Sequence, residues 1–340
     1  MQAFRIHSFG LDQLTQEAVD PGRPGPGQVR LGMRAVSLNY RDLLMVKGHY
    51  NPRQPLPLIP CSDGVGVIEA VGEGVDLAVG TRVCPLFCQE WMAGPPRQEN
   101  IRATLGGPID GTLAEAMVLP AAGVVEVPEH LSDEEAACLP CAALTAWSAM
   151  FTQARLQPGD WVLLLGTGGV SIFALQFAKL LGLRTVVTSS SDEKLERVRQ
   201  LGADHTINYK QQPAWGKLVR DLTGGVDLVV EVGGAGTLAE SLTAVRVGGQ
   251  VSLIGVLDGV QQPLNVLPIL MKNVRVQGIL VGSKSGFESM NRAIAQAHLR
   301  PLIDRVFSFQ EAPQAFAHLA SGTHFGKVVV SVGAGAEPGL

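Results

Sequence analysis

WVLLLGTGGVS, residues 161–171, joins a run of five apolar residues to a glycine-rich turn. The run has the length of a buried strand, and the segment from Val170 to Leu181 after the turn has the apolar spacing of a helix. A glycine-rich turn between a strand and a helix is the context that a dinucleotide-binding fingerprint requires. The stretch therefore predicts a strand, a turn and a helix that hold the pyrophosphate of a dinucleotide cofactor.

The small residues of this turn have separate roles. Gly166 permits the tight turn, and Gly168 lets the backbone approach the pyrophosphate. The N-terminus of the following helix supplies amide donors and a positive dipole to the phosphates. Ser171 stands where the fingerprint usually has a third glycine, and its small side chain still permits close packing of helix on strand. The alternative is a glycine-rich turn that binds no ligand.

The sequence from Asp160 onward alternates between strand-like and helix-like segments. Buried apolar strands separated by amphipathic helices indicate a parallel, doubly wound sheet of the Rossmann type. A further strand is predicted from Asn273 to Val281, at the edge of this sheet. The other segments run over residues 161–165, 170–181, 185–188, 192–201, 205–209, 226–232 and 250–255.

The parts of the chain on either side differ from this pattern. The first 128 residues carry short strand-like runs between Gly and Pro clusters, which indicates a mainly β domain. Ser132, followed by three acidic residues, predicts the start of an Ala-rich helix that runs towards Phe151. The tail is predicted to fray in its Gly/Ala/Pro-rich end. The clearest runs are strands at 28–36, 64–70, 113–119 and 327–332, and helices at 287–297 and 313–321.

Length, charge and cysteine content narrow the class of protein. A chain of 340 residues with 46% hydrophobic residues fits two globular domains. The formal net charge of -4, with scattered Lys and Arg, provides no basic stripe for nucleic acid. Five cysteines, an odd number in a long chain, indicate free thiols and a cytoplasmic location. Neither secretion nor membrane insertion is predicted, because a signal-like N-terminus and a long uncharged apolar run are both missing.

The end of the second predicted strand of the sheet bears on the choice of nicotinamide cofactor. NAD-specific sites have an acidic residue there, which accepts hydrogen bonds from the ribose 2′-hydroxyl. Here the strand ends in the serines 189–191, with Lys194 close behind. Hydroxyls and an ammonium suit a 2′-phosphate, so NADP(H) is predicted to be preferred, with NAD(H) possible. Alternatively, Ser191 or Asp192 caps the next helix and Lys194 faces solvent, which leaves the preference open.

Several motifs together carry a resemblance to a known family. They are NYRD at 39–42, PCSDGVGVIEAVGEGV at 60–75, LPCAALTAW at 139–147, the glycine turn and LGADHTINY at 201–209. With these motifs in this order, the chain resembles the medium-chain dehydrogenase/reductase superfamily over nearly its whole length. The resemblance implies a GroES-like catalytic domain at 1–128 and 283–340, and a Rossmann dinucleotide-binding domain at 129–282.

The resemblance also bears on metal content. Zinc-dependent members of the superfamily hold a catalytic zinc with residues that correspond to Asn39, to the segment Cys61-Ser62-Asp63 and to Cys141. Only Cys141 retains the family's residue type, and the amide of Asn39 and the hydroxyl of Ser62 are poor zinc ligands, so no catalytic zinc is expected. The family's structural zinc lobe needs four Cys where this chain has two, so no structural zinc is expected either.

The resemblance to the zinc-free quinone oxidoreductase branch implies roles for individual residues. Asn39 is predicted to hold the substrate oxygen, Tyr50 to donate a hydrogen bond or shape the pocket, and Thr145 to touch the nicotinamide or its ribose. The alternative interpretation of Tyr50 is an aromatic residue at the rim of the pocket. The cofactor is expected to contact Thr145, Gly166, Thr167, Gly168, Gly169, Val170, Ser171, Ser189, Ser190, Ser191, Lys194, Tyr209, Val232, Gly233, Gly255, Val256, Val281 and Gly282.

Without a Lewis acid, hydride adds most easily to a substrate that delocalises the resulting negative charge onto its own oxygen, where a hydrogen-bond donor of the protein can stabilise it. The sequence therefore predicts a zinc-independent, NAD(P)H-dependent oxidoreductase that transfers hydride to a quinone or an α,β-unsaturated carbonyl. The alternatives are an alcohol dehydrogenase acting on a secondary alcohol or aldehyde, and an NADPH-binding protein without turnover. A homodimer is expected from the apolar edge strand. Residues 91–107 either cover the substrate or form an ordered surface excursion.

Overall fold

The computed structural model describes residues 1–333, so the tail end, residues 334–340, and its predicted fraying lie outside the described residues. The chain separates into two compact units. The first comprises Met1–Leu144 and the tail from Ser283, and the second comprises Thr145–Gly282. Each unit has its own large β-sheet. None of the helices within residues 1–333 is long and apolar enough to cross a bilayer.

The regular elements are numbered along the chain. The strands are β1 (Gln2–Ile6), β2 (Leu14–Ala18), β3 (Gln28–Leu38), β4 (Asp63–Val71), β5 (Arg82–Pro85), β6 (Ala116–Pro120), β7 (Val124–Glu126), β8 (Trp161–Leu165), β9 (Arg184–Ser189), β10 (His205–Asn208), β11 (Val226–Glu231), β12 (Val245–Leu253), β13 (Arg275–Gly278), β14 (Ile303–Ser308) and β15 (Lys327–Ser331). The helices are α1 (Tyr40–Val46), α2 (Gln98–Ile101), α3 (Asp133–Ala137), α4 (Leu144–Trp147), α5 (Gly169–Leu180), α6 (Asp192–Gln200), α7 (Trp215–Thr223), α8 (Leu238–Ala244), α9 (Leu267–Met271), α10 (Lys284–Ala297) and α11 (Ala312–Ser321).

The first unit is built on a mainly antiparallel sheet in the order β14-β15-β3-β4-β5-β7, with β6 also paired to β3. The long strand β3 contributes Leu31 to one apolar core and Leu38 to another. At one end of the sheet, Ser37 pairs with Asp63 of β4, and Leu38 pairs with Val328 of β15. The ends of three neighbouring strands, β15, β3 and β4, therefore meet at the same end of the sheet. This end carries a buried polar cluster.

The strands of this unit differ in length from the sequence prediction. β3 runs two residues beyond the predicted end at Val36, and β4 includes the flanking residues Asp63 and Val71. The run predicted at 113–119 becomes a strand only from Ala116. Its first residues bond elsewhere, because the Leu113 carbonyl accepts from Phe4 N and Leu113 N donates to the Pro60 carbonyl.

The Ala-rich helix begins as predicted but is not continuous. Ser132 caps it, since its hydroxyl accepts from Glu135 N at 3.2 Å while the Glu135 carboxylate accepts from Ser132 N at 2.9 Å. After α3, π-helical turns at Leu139–Ala143 and Ser148–Thr152 flank α4. Pro140 lies in the first of these turns and has no N–H for a regular helical ladder. The helix predicted to run towards Phe151 is therefore interrupted at Cys138, and helical turns then continue to Thr152.

The compact units divide after Leu144, and not after Pro128 where the composition changes. Two contacts hold the intervening segment to the sheet of the first unit. Asp133 pairs with Arg82 of β5 at 2.8 Å, and the hydroxyl of Ser37 in β3 lies 3.6 Å from the Cys138 sulfur. Because these contacts are long-range, the change in composition does not reveal them.

The second unit is a doubly wound α/β domain. Its strands are all parallel and lie in the order β10-β9-β8-β11-β12-β13. This order reverses between β8 and β11, and in open parallel sheets the crevice at such a reversal binds nucleotides. The apolar run at residues 161–165 forms β8 at the centre of the sheet, as its composition predicts. The predicted combination of a Rossmann unit and a mainly β, GroES-like unit is confirmed.

The edge strand β13 is shorter than the predicted run from Asn273 to Val281. Only Arg275–Gly278 pairs with β12. Asn273 has a left-handed φ of 51°, which breaks the extended conformation before the strand. The residues after Gly278 continue from the carboxyl end of the strand, where Ile279 N still donates to the Leu253 carbonyl at 2.9 Å.

Candidate functional site

The glycine turn lies after the central strand β8 and leaves open space beside its backbone. Gly166 adopts a left-handed φ of 75°, a conformation that favours glycine, and its N–H donates to the Thr188 carbonyl at 2.8 Å. Gly168 precedes α5, and its carbonyl accepts the Ile172 N–H at 3.0 Å. A Cβ added at Gly166 or Gly168 would meet no atom within 4 Å. The turn therefore has the shape and the helix N-terminus that a pyrophosphate requires.

Ser171 has a structural bond that its position in the motif does not reveal. The side chain is buried in the first turn of α5, and its hydroxyl donates to the Leu165 carbonyl at 2.6 Å. This bond ties the start of the helix to the end of β8. The small residue is thus used for close packing of helix on strand.

The serines at the end of β9 organise the start of α6. Ser189 accepts from Ser191 N, and Ser191 accepts from Lys194 N, both at 3.3 Å. Ser191 therefore caps α6, which was the alternative interpretation of this run. In both bonds the serine oxygen is the acceptor, so each O–H proton can still be donated to an anion. The capping role and a 2′-phosphate site are compatible.

Glu231, which sequence reasoning missed, organises the loop next to the glycine turn. It is fully buried at the end of β11, and one carboxylate oxygen accepts from Gly233 N at 2.8 Å, Gly234 N at 3.1 Å and the Thr237 hydroxyl at 2.6 Å. The other oxygen accepts from the Ser241 hydroxyl. A carboxylate with this many donors fixes the loop after β11, and the strand-Glu-Val-Gly-Gly pattern was its only sequence signal.

The other predicted cofactor residues of this unit lie beyond the carboxyl ends of parallel strands. Tyr209 follows β10 and its N–H donates to the Ser189 carbonyl at 3.1 Å. Val232 and Gly233 follow β11, Gly255 and Val256 follow β12, and Val281 and Gly282 follow β13. Thr145 is the exception, because it is buried in α4. Apart from Thr145, these positions share one edge of the sheet.

Asn39 is the centre of a buried polar cluster in the first unit. Its side chain is 8% exposed, and its Nδ2 donates to Ser62 Oγ at 3.3 Å. Ser62 Oγ in turn donates to Asp63 Oδ1 at 2.9 Å. On the other side, Lys327 Nζ donates to Asn39 Oδ1 at 2.6 Å. The cluster thus joins the ends of β3, β4 and β15.

Burial controls the ionisation of this cluster. Asp63 is fully buried, which raises the pKa of its carboxyl to about 6, although the Lys327 ammonium acts in the opposite direction. Its Oδ2 accepts the backbone N–H of Cys141 at 3.0 Å. Burial, reinforced by the charge of Asp63, raises the pKa of the Cys141 thiol. Cys141 therefore stays a protonated thiol at neutral pH.

Arg41 and Asp42 form a buried ion pair. Arg41 Nη1 lies 3.2 Å from Asp42 Oδ1 and also donates to the Leu105 carbonyl at 2.8 Å. Asp42 Oδ2 accepts the Asn39 N–H at 2.8 Å, so the pair also positions the start of α1. The exposed Tyr50 ring packs on the Arg41 guanidinium, with 5.0 Å between the guanidinium carbon and the ring centroid.

The segment 91–107 is anchored at both ends. The Trp91 carbonyl accepts the Lys284 N–H at the start of α10 at 2.9 Å. At the other end, the Leu105 carbonyl binds Arg41. The short helix α2 lies between the anchors. These contacts favour the interpretation of residues 91–107 as an ordered surface excursion and not as a flap that closes over the substrate.

Lys327 is the other site residue that sequence reasoning missed. It was treated only as the first residue of a predicted strand, and its ammonium donates to Asn39 across 288 positions of the sequence. A lysine at the start of the apolar run Val328 to Val330 was the only signal. Only 3% of the side chain is exposed, which is rare for lysine.

The fold combines a Rossmann unit, whose glycine turn has the shape of a dinucleotide site, with a GroES-like unit. Residues 25–129 match the alcohol dehydrogenase GroES-like domain family, and residues 169–297 match the zinc-binding dehydrogenase family. The chain is 43% identical, over 95% of its length and 96% of the relative, to a zinc-type alcohol dehydrogenase-like protein from Schizosaccharomyces pombe. The chain therefore belongs to the medium-chain dehydrogenase/reductase superfamily.

Two further relatives differ in the activity that their names give. A crystal structure of an NAD-dependent alcohol dehydrogenase is 34% identical with a TM-score of 0.89, and the match covers 98% of this chain and 100% of that one. A 2-haloacrylate reductase from a Burkholderia species is 30% identical over 94% of this chain and 96% of the relative. The superfamily assignment thus fixes an oxidoreductase but leaves the substrate open.

The zinc in the name of the second matching family does not suit the residues present. Asn39 Oδ1 is already the acceptor for an ammonium, and Ser62 is neutral and donates to Asp63, so Cys141 is the one corresponding position that keeps the family's type of ligand. Catalytic zinc sites need three good protein ligands, commonly His, Cys thiolate or carboxylate. Within residues 1–333, His, Cys, Asp and Glu form no group of three that could hold a metal ion.

Proposed function

We propose that the chain is a zinc-independent, NAD(P)H-dependent reductase of quinones or α,β-unsaturated carbonyl compounds. The observation that carries the proposal is the Asn39 amide, whose oxygen is held by the Lys327 ammonium while its nitrogen remains the donor. A fixed N–H donor stabilises negative charge that develops on a carbonyl oxygen. It polarises a simple ketone less than a Lewis acid would, so substrates that delocalise charge are favoured.

In this proposal the backbone amides of the glycine turn hold the pyrophosphate, and the bound nicotinamide supplies the hydride. Nδ2 of Asn39 carries two N–H groups, and one of them is directed at Ser62. The second binds the carbonyl oxygen of the substrate and stabilises the enolate that forms when the β-carbon receives hydride. The name of the haloacrylate reductase, which describes an activated alkene as its substrate, supports this choice.

The test is NADPH oxidation with a panel of quinones and enones, run beside NADP⁺ and NAD⁺ reduction with secondary alcohols. We expect turnover with the conjugated acceptors and little with alcohols. Alcohol oxidation as the dominant activity would establish the alternative, an alcohol dehydrogenase, which the names of two of the relatives favour. Tight cofactor binding without any oxidation would establish the other alternative, an NADPH-binding protein without turnover.

We propose NADP(H) as the preferred cofactor, with the hydroxyls of Ser189 and Ser191 and the Lys194 ammonium on the 2′-phosphate. Lys194→Ala is expected to weaken NADPH binding by roughly 10-fold, since a charge-assisted hydrogen bond is lost, and to leave NADH binding almost unchanged. Fluorescence titration of both nucleotides measures the difference. Equal losses for the two, or a wild-type preference for NADH, would show that the serines only cap α6.

The purified protein is expected to hold no stoichiometric zinc, because the positions that correspond to the family's catalytic ligands offer an amide, a hydroxyl and a single thiol. Chelator treatment should leave reductase activity unchanged. Metal content by mass spectrometry and activity before and after dialysis against chelator provide the test. About one zinc per chain, with activity that disappears on chelation and returns with zinc, contradicts a metal-free mechanism.

We propose a homodimer formed at the β13 edge of the second unit. The segment before that strand carries apolar side chains that water would not normally cover, with Leu270 76% and Met271 71% exposed. Light scattering is expected to give twice the chain mass of 36.0 kDa, and Leu270→Asp should shift the protein to the monomer. A wild-type monomer at micromolar concentration would exclude this interface. The exposed set includes Leu257, Val260, Val266, Leu267, Leu270 and Met271.

A cytoplasmic location is part of the proposal, because all five cysteines are free thiols.

A further inference from the structure

The Lys327 ammonium is a buried charge with a defined set of acceptors. Its Nζ donates to the Leu38 carbonyl at 2.8 Å and to Asn39 Oδ1 at 2.6 Å, and the side chain is 3% exposed. Taking an ammonium out of water is costly unless acceptors and an opposite charge compensate it. A buried strand residue that only packed against its neighbours would be apolar, so we expect the charge of Lys327 to have a function.

A continuous chain of hydrogen bonds leads from this ammonium to the buried carboxyl of Asp63. Asn39 accepts from Lys327 through Oδ1 and donates through Nδ2 to Ser62 Oγ, which donates to Asp63 Oδ1. Asp63 Oδ2 is held separately by the backbone N–H of Cys141. A cation that can only donate stands at one end of the chain, and a carboxyl that accepts stands at the other.

The ammonium of Lys327 and the carboxyl of Asp63, at the two ends of this chain of hydrogen bonds, permit only one orientation of the Asn39 amide. A flipped amide would place its NH₂ group against the ammonium of Lys327, where both groups are donors. It would also place its oxygen against Ser62 Oγ, whose proton is already given to Asp63. The ammonium on Oδ1 polarises the amide as well, which strengthens the N–H groups as donors.

We propose that Lys327 is a positioning residue, which holds the Asn39 amide oxygen so that the Nδ2 side of the amide serves as the donor to the substrate oxygen, and which supplies a fixed positive charge behind it. The inference rests on the proposed reduction of a conjugated carbonyl or quinone. Lys327 itself touches neither substrate nor cofactor in this role. The charge that zinc-dependent members of the superfamily obtain from a metal is then provided by a side chain of β15.

The test is a double-mutant cycle between Lys327→Met and Asn39→Ala, with kcat and KM measured for the best conjugated acceptor. Lys327→Met alone is expected to lower kcat by about 10- to 100-fold, the range found when a supporting residue of a site is lost, with a much smaller change in KM. In the Asn39→Ala background the same substitution should have no further effect on kcat, because the amide that it positions is gone.

Lys272→Met is the matched control. The Lys272 ammonium also donates to backbone carbonyls, those of Leu242, Thr243 and Val245, at 2.8 to 3.0 Å, but it has no contact with Asn39. We expect this variant to lower the melting temperature without lowering kcat. A purely structural role for Lys327 would give the same result as the control.

Lys327→Gln keeps an N–H donor without the charge and is the second variant if Lys327→Met does not fold. It is expected to retain more turnover than Lys327→Met and less than wild type. The proposal is overturned if a folded variant at 327 keeps wild-type kcat, or if its loss is the same with and without Asn39. A wild-type protein that reduces no conjugated acceptor would instead overturn the proposed function, so the two failures are distinguishable.

Discussion

Asn39→Ala is expected to lower kcat with a quinone or enone by about 10²- to 10³-fold, the usual cost of one oxyanion-stabilising donor. The enolate oxygen would lose the Nδ2 donor as its charge develops, while most contacts with the ground-state substrate would remain. KM should therefore change much less than kcat. Steady-state kinetics with saturating NADPH measures both quantities.

Two companion variants separate catalysis from stability. Asn39→Asp keeps an oxygen for Lys327 but replaces the donor with a carboxylate oxygen, so it should lose turnover at least as severely. Asn291→Ala removes another buried Asn of the same unit, whose Nδ2 donates to the Glu126 carbonyl at 2.8 Å. It should cost stability without loss of kcat. Wild-type kcat in a folded Asn39→Ala protein would remove Asn39 from the mechanism.

The parts of the structure that the sequence predicts well are local. Residues 161–171 contain a strand, a turn and a helix start in eleven consecutive positions, and each is recognisable from its own residues. The cap at Ser132 is of the same kind, because both of its bonds lie within three residues. Where the deciding interaction is close in sequence, composition and spacing are sufficient.

The parts that could not be predicted depend on distant partners or on interrupted backbone bonding. Lys327 meets Asn39 only because β15 pairs with the end of β3, and a strand pattern does not specify its neighbour. The Ala-rich helix contains good helix formers, yet Pro140 diverts it into a π-helical turn. Glu231 ends an apolar strand, where a carboxylate looks exposed until the loop that surrounds it is known.

The candidate site shows the same division. The resemblance selected Asn39 by position in the chain, but it gave no account of what fixes the orientation of the amide. The structure adds the bonds to Lys327 and Ser62, and these turn a neutral side chain into a donor with one defined direction. Tyr50 was selected in the same way, and the structure places its ring on Arg41.

Gly168→Asp is expected to weaken binding of both NADPH and NADH by at least about 100-fold, which corresponds to roughly 2.7 kcal/mol. Gly168 has a φ of -79°, which any residue adopts, and a Cβ at this position meets no protein atom within 4 Å. The space is open in the protein and is where we propose that the pyrophosphate binds. A carboxylate there would occupy that space and repel the phosphates.

The same substitution should not harm the fold, and this makes the test decisive. Gly168 is the residue before α5, where Asp is a favoured helix cap and its charge complements the helix dipole, so the melting temperature should stay level or rise. Gly168→Ala, which adds a methyl group without charge, should weaken binding less. Both nucleotides should lose affinity equally, in contrast to Lys194→Ala, because the pyrophosphate is common to them. Unchanged nucleotide affinity in a folded Gly168→Asp protein would mean that the cofactor does not bind over this turn.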